Sequence, residues 1–416
     1  MATINFLYRS KKPESYLTTR LLFTHDNVNY VFAATSKVKV KAEYWKETHG
    51  GKPPKDVKKL NEYIRVNKEL SEITERVLNA FEAEDPRNIN KEWLAAAMYP
   101  KKENGSDEIP NDFLGYMDFY LSYKKNELSI TGARRVRVSK HKMERLQAHL
   151  RKTILIKDIN EDFKKKFQEY SNQEKYSQNT QQRELVLIKT ICYHARFMGL
   201  EVHHQLDSLR LKRQSVNHVY LTFEEIEIIR DLELTNEHLQ NARDWLVISC
   251  YTGQRVSDFM RFDKDMIRID EGKHLLEFKQ KKTGKLMTIP ISKEVRKVLA
   301  KRNGDFPRAI SDQKYNDYIK DVAEAAELFE LAEGKKRIDI TPKEKKSTWR
   351  DVTGKYPKWQ LVSSHIGRRS FATNHYGKVP TSYLINITGH GSEKMFLSYI
   401  QKSNKDMAID AYDYFN

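Results

Sequence analysis

Four segments toward the C-terminal end of the chain carry side chains that could together break and remake a phosphodiester bond without a metal. That chemistry needs a nucleophile, cations to stabilise a pentacoordinate phosphorane, and an acid for the departing 5′ oxygen. The first segment, CYTGQRVSDF at 250–259, puts Gly253 where a helix can end in the left-handed conformation. Arg255 then opens the next helix, where its planar fork and the helical N–H groups could hold a phosphate, and Asp258 could brace that guanidinium or a neighbour. The second, FKQKKTGKLMTIPI at 278–291, reads as a hairpin with Thr283-Gly284 at its tip, and Lys282 on a mobile tip could protonate the leaving oxygen.

The third segment, SSHIGRRSFATNH at 363–375, sets His365 and Arg368 three apart on one helix, with Ser363 or Ser364 as the expected cap. Arg368 could bind a phosphate, His365 could donate a hydrogen bond or shuttle a proton, and Phe371 and Ala372 face the core. In the fourth, ITGHGSEKMFLSYI at 387–400, Gly389 closes a turn before His390 and a short helix brings up Tyr399. A phenol is a weak nucleophile at its ordinary pKa near 10, so it needs the neighbouring charges that His390, Arg255 and Arg368 could supply. Tyr399 is one of 22 tyrosines, with Tyr412 and Tyr414 as nominal rivals. An isolated tyrosine is usually a half-buried aromatic, so the constellation, not the residue, carries the reading.

Taken in order and spacing, TGQRVSD, the hairpin lysine, His-x-x-Arg-Arg-Ser-Phe-Ala-Thr, and Gly-His with a later tyrosine resemble the tyrosine recombinase, or phage integrase, family. The resemblance implies that Arg255, Lys282, His365, Arg368, His390 and Tyr399 form the catalytic set, with Asp258 as the supporting acidic residue. Arg369 follows the motif without a direct chemical part. It further implies a 3′-phosphotyrosyl intermediate, no ATP, no metal and no other cofactor. Two departures stand out: Gly367 replaces a bulky apolar residue, which should loosen the helix start, and a Lys-rich stretch at 331–362 precedes His365 as a loop or hairpin. A type IB topoisomerase or a catalytically inactive DNA-binding homologue are the alternative readings. A metal nuclease has little support, since His203-His204 has only Glu201 and Asp207 nearby.

The chain that must position these residues has 416 of them, enough for two or three domains. Lys and Arg number 74 against 57 Asp and Glu, a net charge of +17 that draws a protein to polyanions. Two cysteines, Cys192 and Cys250, sit in apolar helical stretches and exclude a disulfide framework. No apolar run could span a bilayer and MATINFLYRSKK lacks a signal peptide's pattern, so a soluble cytoplasmic protein of bacterial or phage origin is expected.

Three domains are expected, making the fold class multidomain. Residues 1–105 read as a small α+β domain, with β-type runs between the turns SKKPES and HDN and then an amphipathic helix from Asp56 with Val57, Leu60, Ile64, Leu70, Ile73, Val77 and Phe81 on one face, and the family resemblance implies that this domain binds arm sites. The turn-rich KKENGSDEIPND at 101–112 marks a boundary. Residues 110–205 read as an all-α core-site-binding domain, whose last helix starts at Asn179, stops at Gly199 and carries the stripe Leu185, Ile188, Cys192 and Ala195. Its basic face offers Arg134, Arg135, Arg137, Lys140 and Lys142 from 132–152, with Arg183, Lys189 and Arg196 from the last helix, as DNA contacts. Residues 201–219 read as a polar linker, and 217–416 as a mainly α catalytic domain with a small antiparallel sheet across 267–291. The expected partner is double-stranded DNA at core and arm sites. The expected assembly is a monomer free of DNA and a homotetramer on it, docked through the segment after Tyr399, with accessory DNA-bending or directionality proteins.

Overall fold

Alternation of apolar and polar side chains along residues 14–41 produces two long antiparallel strands, β2 (Glu14–His25) and β3 (Val28–Lys41), with β1 (Thr3–Leu7) on the free edge of β2. The turn between them is the two residues Asp26 and Asn27, both at positive φ (48° and 61°), as a tight hairpin requires. Leu17, Leu21 and Phe23 of β2 and Ala34, Val38 and Val40 of β3 point inward. Against them lies the expected long helix: after α1 (Ala42–Glu47), α2 (Val57–Glu82) starts at Asp56, whose carboxylate accepts the N–H groups of Lys58 and Lys59. Val66, Leu70, Ile73 and Val77 seal it to the sheet, each burial contributing roughly 1.5–3 kcal/mol. The helix α3 (Lys91–Met98) closes this core with Leu94 and Met98.

The computed structural model describes residues 2–100, 109–342, 347–412 and 415, and the chain divides into two compact units, Met1–Gln214 and Ser215–Asn416. Most of the turn-rich boundary at 101–112 therefore lies outside the described residues. A second, separate core of the first unit is all-helical: α4 (Phe113–Tyr123), α5 (Ile130–Leu150), α6 (Glu161–Gln173) and α7 (Gln178–Phe197) pack around Tyr116, Met143, Phe167, Ile188 and Cys192. Asn61 of α2 links the two, donating to the Glu144 carbonyl (2.9 Å) and accepting from Gln147 Nε2 (3.0 Å).

The start of α7 differs from expectation. Ser177, not Asn179, is the cap, its hydroxyl accepting from Thr180 N–H (3.4 Å). Asn179 instead uses its amide as donor to and acceptor from the backbone of Gln214 (2.9 and 2.8 Å). The linker is also shorter than 201–219, because Leu206 and Leu209 are buried in the helical core.

In the second unit α8 (Phe223–Asp231), α9 (Glu237–Thr252) and α10 (Val256–Phe259) precede an antiparallel sheet of β4 (Ile267–Asp270), β5 (Lys273–Lys279) and β6 (Leu286–Pro290). Then come α11 (Lys293–Ala300) and α12 (Asp312–Ala325). The Lys-rich insertion is a hairpin, β7 (Leu331–Asp339) with β8 (Trp349–Pro357), followed by α13 (Lys358–Leu361). The chain continues through α14 (Ile366–His375), α15 (Thr381–Thr388), α16 (Glu393–Leu397) and α17 (Asn404–Tyr412). Among the described residues no helix is long and apolar enough to cross a membrane.

Neither Ser363 nor Ser364 caps α14 with its side chain: His365 is the capping residue, and Ser364 N–H goes instead to Asn316 Oδ1 (2.9 Å). Gly367 does not loosen this helix. A Cβ there would lie 1.9 Å from Ser249 Oγ and 2.6 Å from Ser249 Cβ, so glycine is what lets α14 lie against α9. Gly367→Ala should therefore cost about 1–3 kcal/mol by overpacking. A Ser249→Gly partner should restore only part of the loss, because the Ser249 main-chain carbon also stands 2.8 Å from that Cβ, measured as urea-unfolding midpoints of the single and double variants.

Candidate active site

The buried end of α9 is where the site begins. Gly253 caps it at φ 64°, and a Cβ there would stand 2.6 Å from the Phe371 ring, so both backbone conformation and space demand glycine. Its freed carbonyl accepts Nη1 of Arg368 (2.9 Å), a fully buried guanidinium one turn into α14. Arg368 Nη2 donates to His390 Nε2 (3.0 Å), beyond the end of α15. Arg368 Nη2 also stands 3.4 Å from Nδ1, but an arginine has no acceptor, so the shorter contact assigns the lone pair to Nε2 and the proton to Nδ1, directed at Thr388 Oγ1 (2.7 Å), which donates to the Leu384 carbonyl (2.6 Å). Tyr399 lies against both, its ring centroid 4.8 Å from that of His390 and 5.5 Å from Arg368 Cζ.

Arg255 caps α10, and its Nη1 is buried without a partner among the described residues, as is Nε of Arg368. The bonds of Asp258 go elsewhere than Arg255: its buried Oδ1 accepts Lys281 N–H (2.8 Å) and Arg261 Nη2 (3.3 Å). It thus fixes the β5–β6 turn that carries Lys282. That turn is closed by Gln280 N–H to the Lys285 carbonyl and Gly284 N–H to the Gln280 carbonyl, each 2.9 Å, and Lys282 is exposed on it.

Positive charge accumulates here faster than negative charge can balance it. Arg368 is held down to about 10 by burial and then by Arg255, against the pull of Tyr399 and Asp258. His390 falls to about 3 through burial, Arg368 and Arg255. His365 is also lowered, by burial first and then by Arg369, Arg368, Arg255 and Lys282. Each cation disfavours the others, and two guanidinium N–H donors point at nothing. Such a set of cations and free N–H donors is chemically suited to an anion with several oxygens.

The phage integrase family profile matches residues 219–406, and the profile of the phage integrase SAM-like domain matches residues 112–206. The chain belongs to the tyrosine recombinase family. In fold it resembles a lambda integrase dimer bound to a COC′ core site, at 15% identity over 69% of this chain and 76% of that one, with TM-score 0.50. It similarly resembles XerH site-specific recombinase bound to its difH substrate (14% identity, 76% of this chain, 100% of that one, TM-score 0.50). The Tn1549 transposon integrase with circular-intermediate DNA gives 12% identity, 73% and 100% coverage, and TM-score 0.51. No curated protein matches the chain in sequence.

In this tyrosine recombinase the six residues singled out by spacing gather in one region, and Arg369 joins them: it is lowered by burial, with Tyr399 opposing. Sequence reasoning missed His218 and Lys335. His218 is pushed down to about 4 by partial burial, Arg369, His365 and Lys335. Lys335 lies on β7, whose Glu333 accepts from Asn217 (3.5 Å), the residue before His218. Neither residue stands in a recognisable motif. Tyr412 is exposed on α17, and Tyr414 lies outside the described residues.

The basic residues of the helical core are not equivalent. Lys140 pairs with Asp118 (2.5 Å), Lys142 with Glu184 (2.5 Å), and Arg196 with Asp207 (3.1 Å). Lys189 Nζ caps the carbonyls of Asp207 and Leu209. Arg135 donates to the Arg183 carbonyl, and Arg183 to the Asn179 carbonyl. Arg134 and Arg137 are exposed on α5 and make no ion pair among the described residues. His203 and His204 stack on each other, and no cluster of metal-ligating side chains occurs among the described residues.

Because His390 is held near 3 in the folded chain against about 6.5 when unfolded, the unfolded state binds the extra proton between those values. Its contribution to stability is present above about pH 6.5 and is lost as pH falls toward 3. The His390 imidazole resonances of the DNA-free protein should accordingly show no titration between about pH 7.5 and 5. His390→Gln should shrink the acid-induced drop in unfolding midpoint.

Proposed function

We propose that this tyrosine recombinase is a site-specific DNA recombinase that integrates or excises a mobile element through a 3′-phosphotyrosine at Tyr399. The observation that carries the reading is the pair of buried, unpartnered donors, Arg255 Nη1 and Arg368 Nε, the second on a guanidinium 5.5 Å from the Tyr399 ring. A scissile phosphate between them would receive two charge-assisted hydrogen bonds to its non-bridging oxygens. Tyr399 Oη attacks phosphorus, the bond to the 5′ oxygen breaks, and the DNA 3′ end stays on the tyrosine. His365, neutral because its pKa is lowered, takes the phenolic proton, and Lys282 supplies one to the leaving oxygen. A partner strand's 5′ hydroxyl then reverses the steps and frees the phenol. His390 orients Arg368 by accepting its Nη2 proton.

The same reading makes residues 110–205 a clamp on core-site DNA and residues 1–105 a reader of arm sites, with four copies assembling on two duplexes. The lambda integrase that this chain resembles in fold binds its core site as a dimer, which supports by analogy more than one copy on each duplex. Accessory bending or directionality proteins would set the direction of reaction. The protein is expected to act on DNA in the cytoplasm of a bacterium, encoded by the host or by a phage.

A nicked substrate that loses its cut-strand product traps the covalent adduct on a denaturing gel. Wild type should form it in the presence of chelator and Tyr399→Phe should not; an adduct with Tyr399→Phe would sink the assignment. Arg255→Ala and Arg368→Ala should slow cleavage about a hundredfold or more while still binding DNA. Salt dependence separates the surface residues: Arg134→Ala and Arg137→Ala should each reduce the slope of log K against log salt by about 1. Lys142→Ala, whose partner is Glu184, should leave that slope unchanged.

A further inference from the structure

Two side chains outside the phosphate-binding cluster meet at the main chain of Tyr399. Thr373, fully buried on α14, directs its hydroxyl at the Tyr399 carbonyl (3.4 Å) and accepts the N–H of Gln401 (3.2 Å). Gln401 Nε2 donates to the same carbonyl (3.2 Å), while its Oε1 accepts the backbone N–H of His218 (3.2 Å). One carbonyl thus receives two side-chain donors, and the Thr373 hydroxyl is in turn tied to the Gln401 main chain.

The platform under the phenol explains why such a restraint matters. Helix α16 is five residues long and buries only Phe396, while Glu393, Lys394, Met395 and Leu397 face solvent. Tyr399 lies past its end, where the carbonyls have no helical partner. A helix this short, held by one apolar side chain, has little intrinsic stability, and a phenol mounted beyond it would wander on its own. In-line attack tolerates little wandering: about 1 Å of misplacement can cost on the order of a hundredfold in rate.

We propose that Thr373 and Gln401 are positioning residues for the nucleophile. By holding the Tyr399 carbonyl they fix the direction in which its Cα–Cβ bond projects toward Arg368 and His390. Gln401 also fastens that backbone to His218, so the nucleophile is registered against the chain that leads into α8. Neither side chain touches the phosphate or the phenolic oxygen in this role. The inference rests on Tyr399 being the nucleophile, and the experiment separates the two claims.

Single-turnover cleavage of the trapping substrate at saturating protein is compared with DNA affinity for Thr373→Val, Thr373→Ser, Gln401→Ala, Gln401→Glu and Tyr399→Phe. Affinity should stay within about twofold, while Thr373→Val and Gln401→Ala slow cleavage about tenfold or more. Thr373→Ser restores the hydroxyl and should recover most of the rate. Gln401→Glu keeps the acceptor for His218 N–H but loses the donor to Tyr399, and should be as slow as Gln401→Ala. The Thr373→Val, Gln401→Ala double variant should lose less than the product of the two single effects, because both act on one carbonyl. Wild-type cleavage in Thr373→Val and Gln401→Ala, with no adduct in Tyr399→Phe, overturns the positioning role and leaves the nucleophile intact. An adduct in Tyr399→Phe overturns the nucleophile itself. Should Thr373→Val melt below the assay temperature, the Gln401 pair decides, since that side chain lies partly at the surface.

Discussion

A fully buried guanidinium with no carboxylate bonded to it is the constraint around which the second unit is arranged. Burying a cation is expensive unless dipoles or opposite charge replace its water. Arg368 has only a backbone carbonyl, an imidazole lone pair and the face of a phenol, while Arg255 works against it. Those three partners come from the ends of α9, α15 and α16, so satisfying one side chain brings three distant stretches of chain to a point. The same arrangement leaves Nε of Arg368 and Nη1 of Arg255 unspent. Under the proposed function, these two donors are where a phosphate diester would receive its charge-assisted hydrogen bonds.

Close packing enforces that geometry. At Gly253 and Gly367 there is no room for a methyl group, the first facing Phe371 and the second Ser249. Stability and site geometry are therefore one problem here: a change that separates α14 from α9 also moves Arg368 from the Gly253 carbonyl.

The residues proposed to react are legible in the sequence because their spacing is local: a glycine that ends a helix, an arginine two positions on, a histidine and arginine on one turn, a tyrosine past a short helix. The sheet and α2 are legible for the same reason, as periodicity within one segment. What escapes involves partners far apart in the chain. Thr373 and Gln401 meet Tyr399 only once α14 and the segment beyond α16 are packed, and His218 gains its neighbours from β7 and α14. Residue type misplaces the start of α7 because Asn179, a good cap by its chemistry, is diverted to Gln214. The basic face of α5 looks uniform in sequence, yet Lys140 and Lys142 are committed to Asp118 and Glu184 on neighbouring helices. Composition counts charges; only packing says which are free to meet a ligand.

The anchoring of the β5–β6 turn bears on how fast the proposed acid can act. Lys281, the residue before Lys282, has its N–H on the buried carboxylate of Asp258, and Gln280, one residue earlier still, closes the turn onto Gly284 and Lys285. With the backbone clamped within one residue, Lys282 reaches outward through rotations about its own methylene carbons. Rotamer changes of an exposed side chain take picoseconds to nanoseconds, against microseconds or longer for collective rearrangements of backbone. Proton delivery would then be far quicker than strand exchange, and the slow clock of the reaction would lie in the movement of DNA and subunits rather than in this lysine.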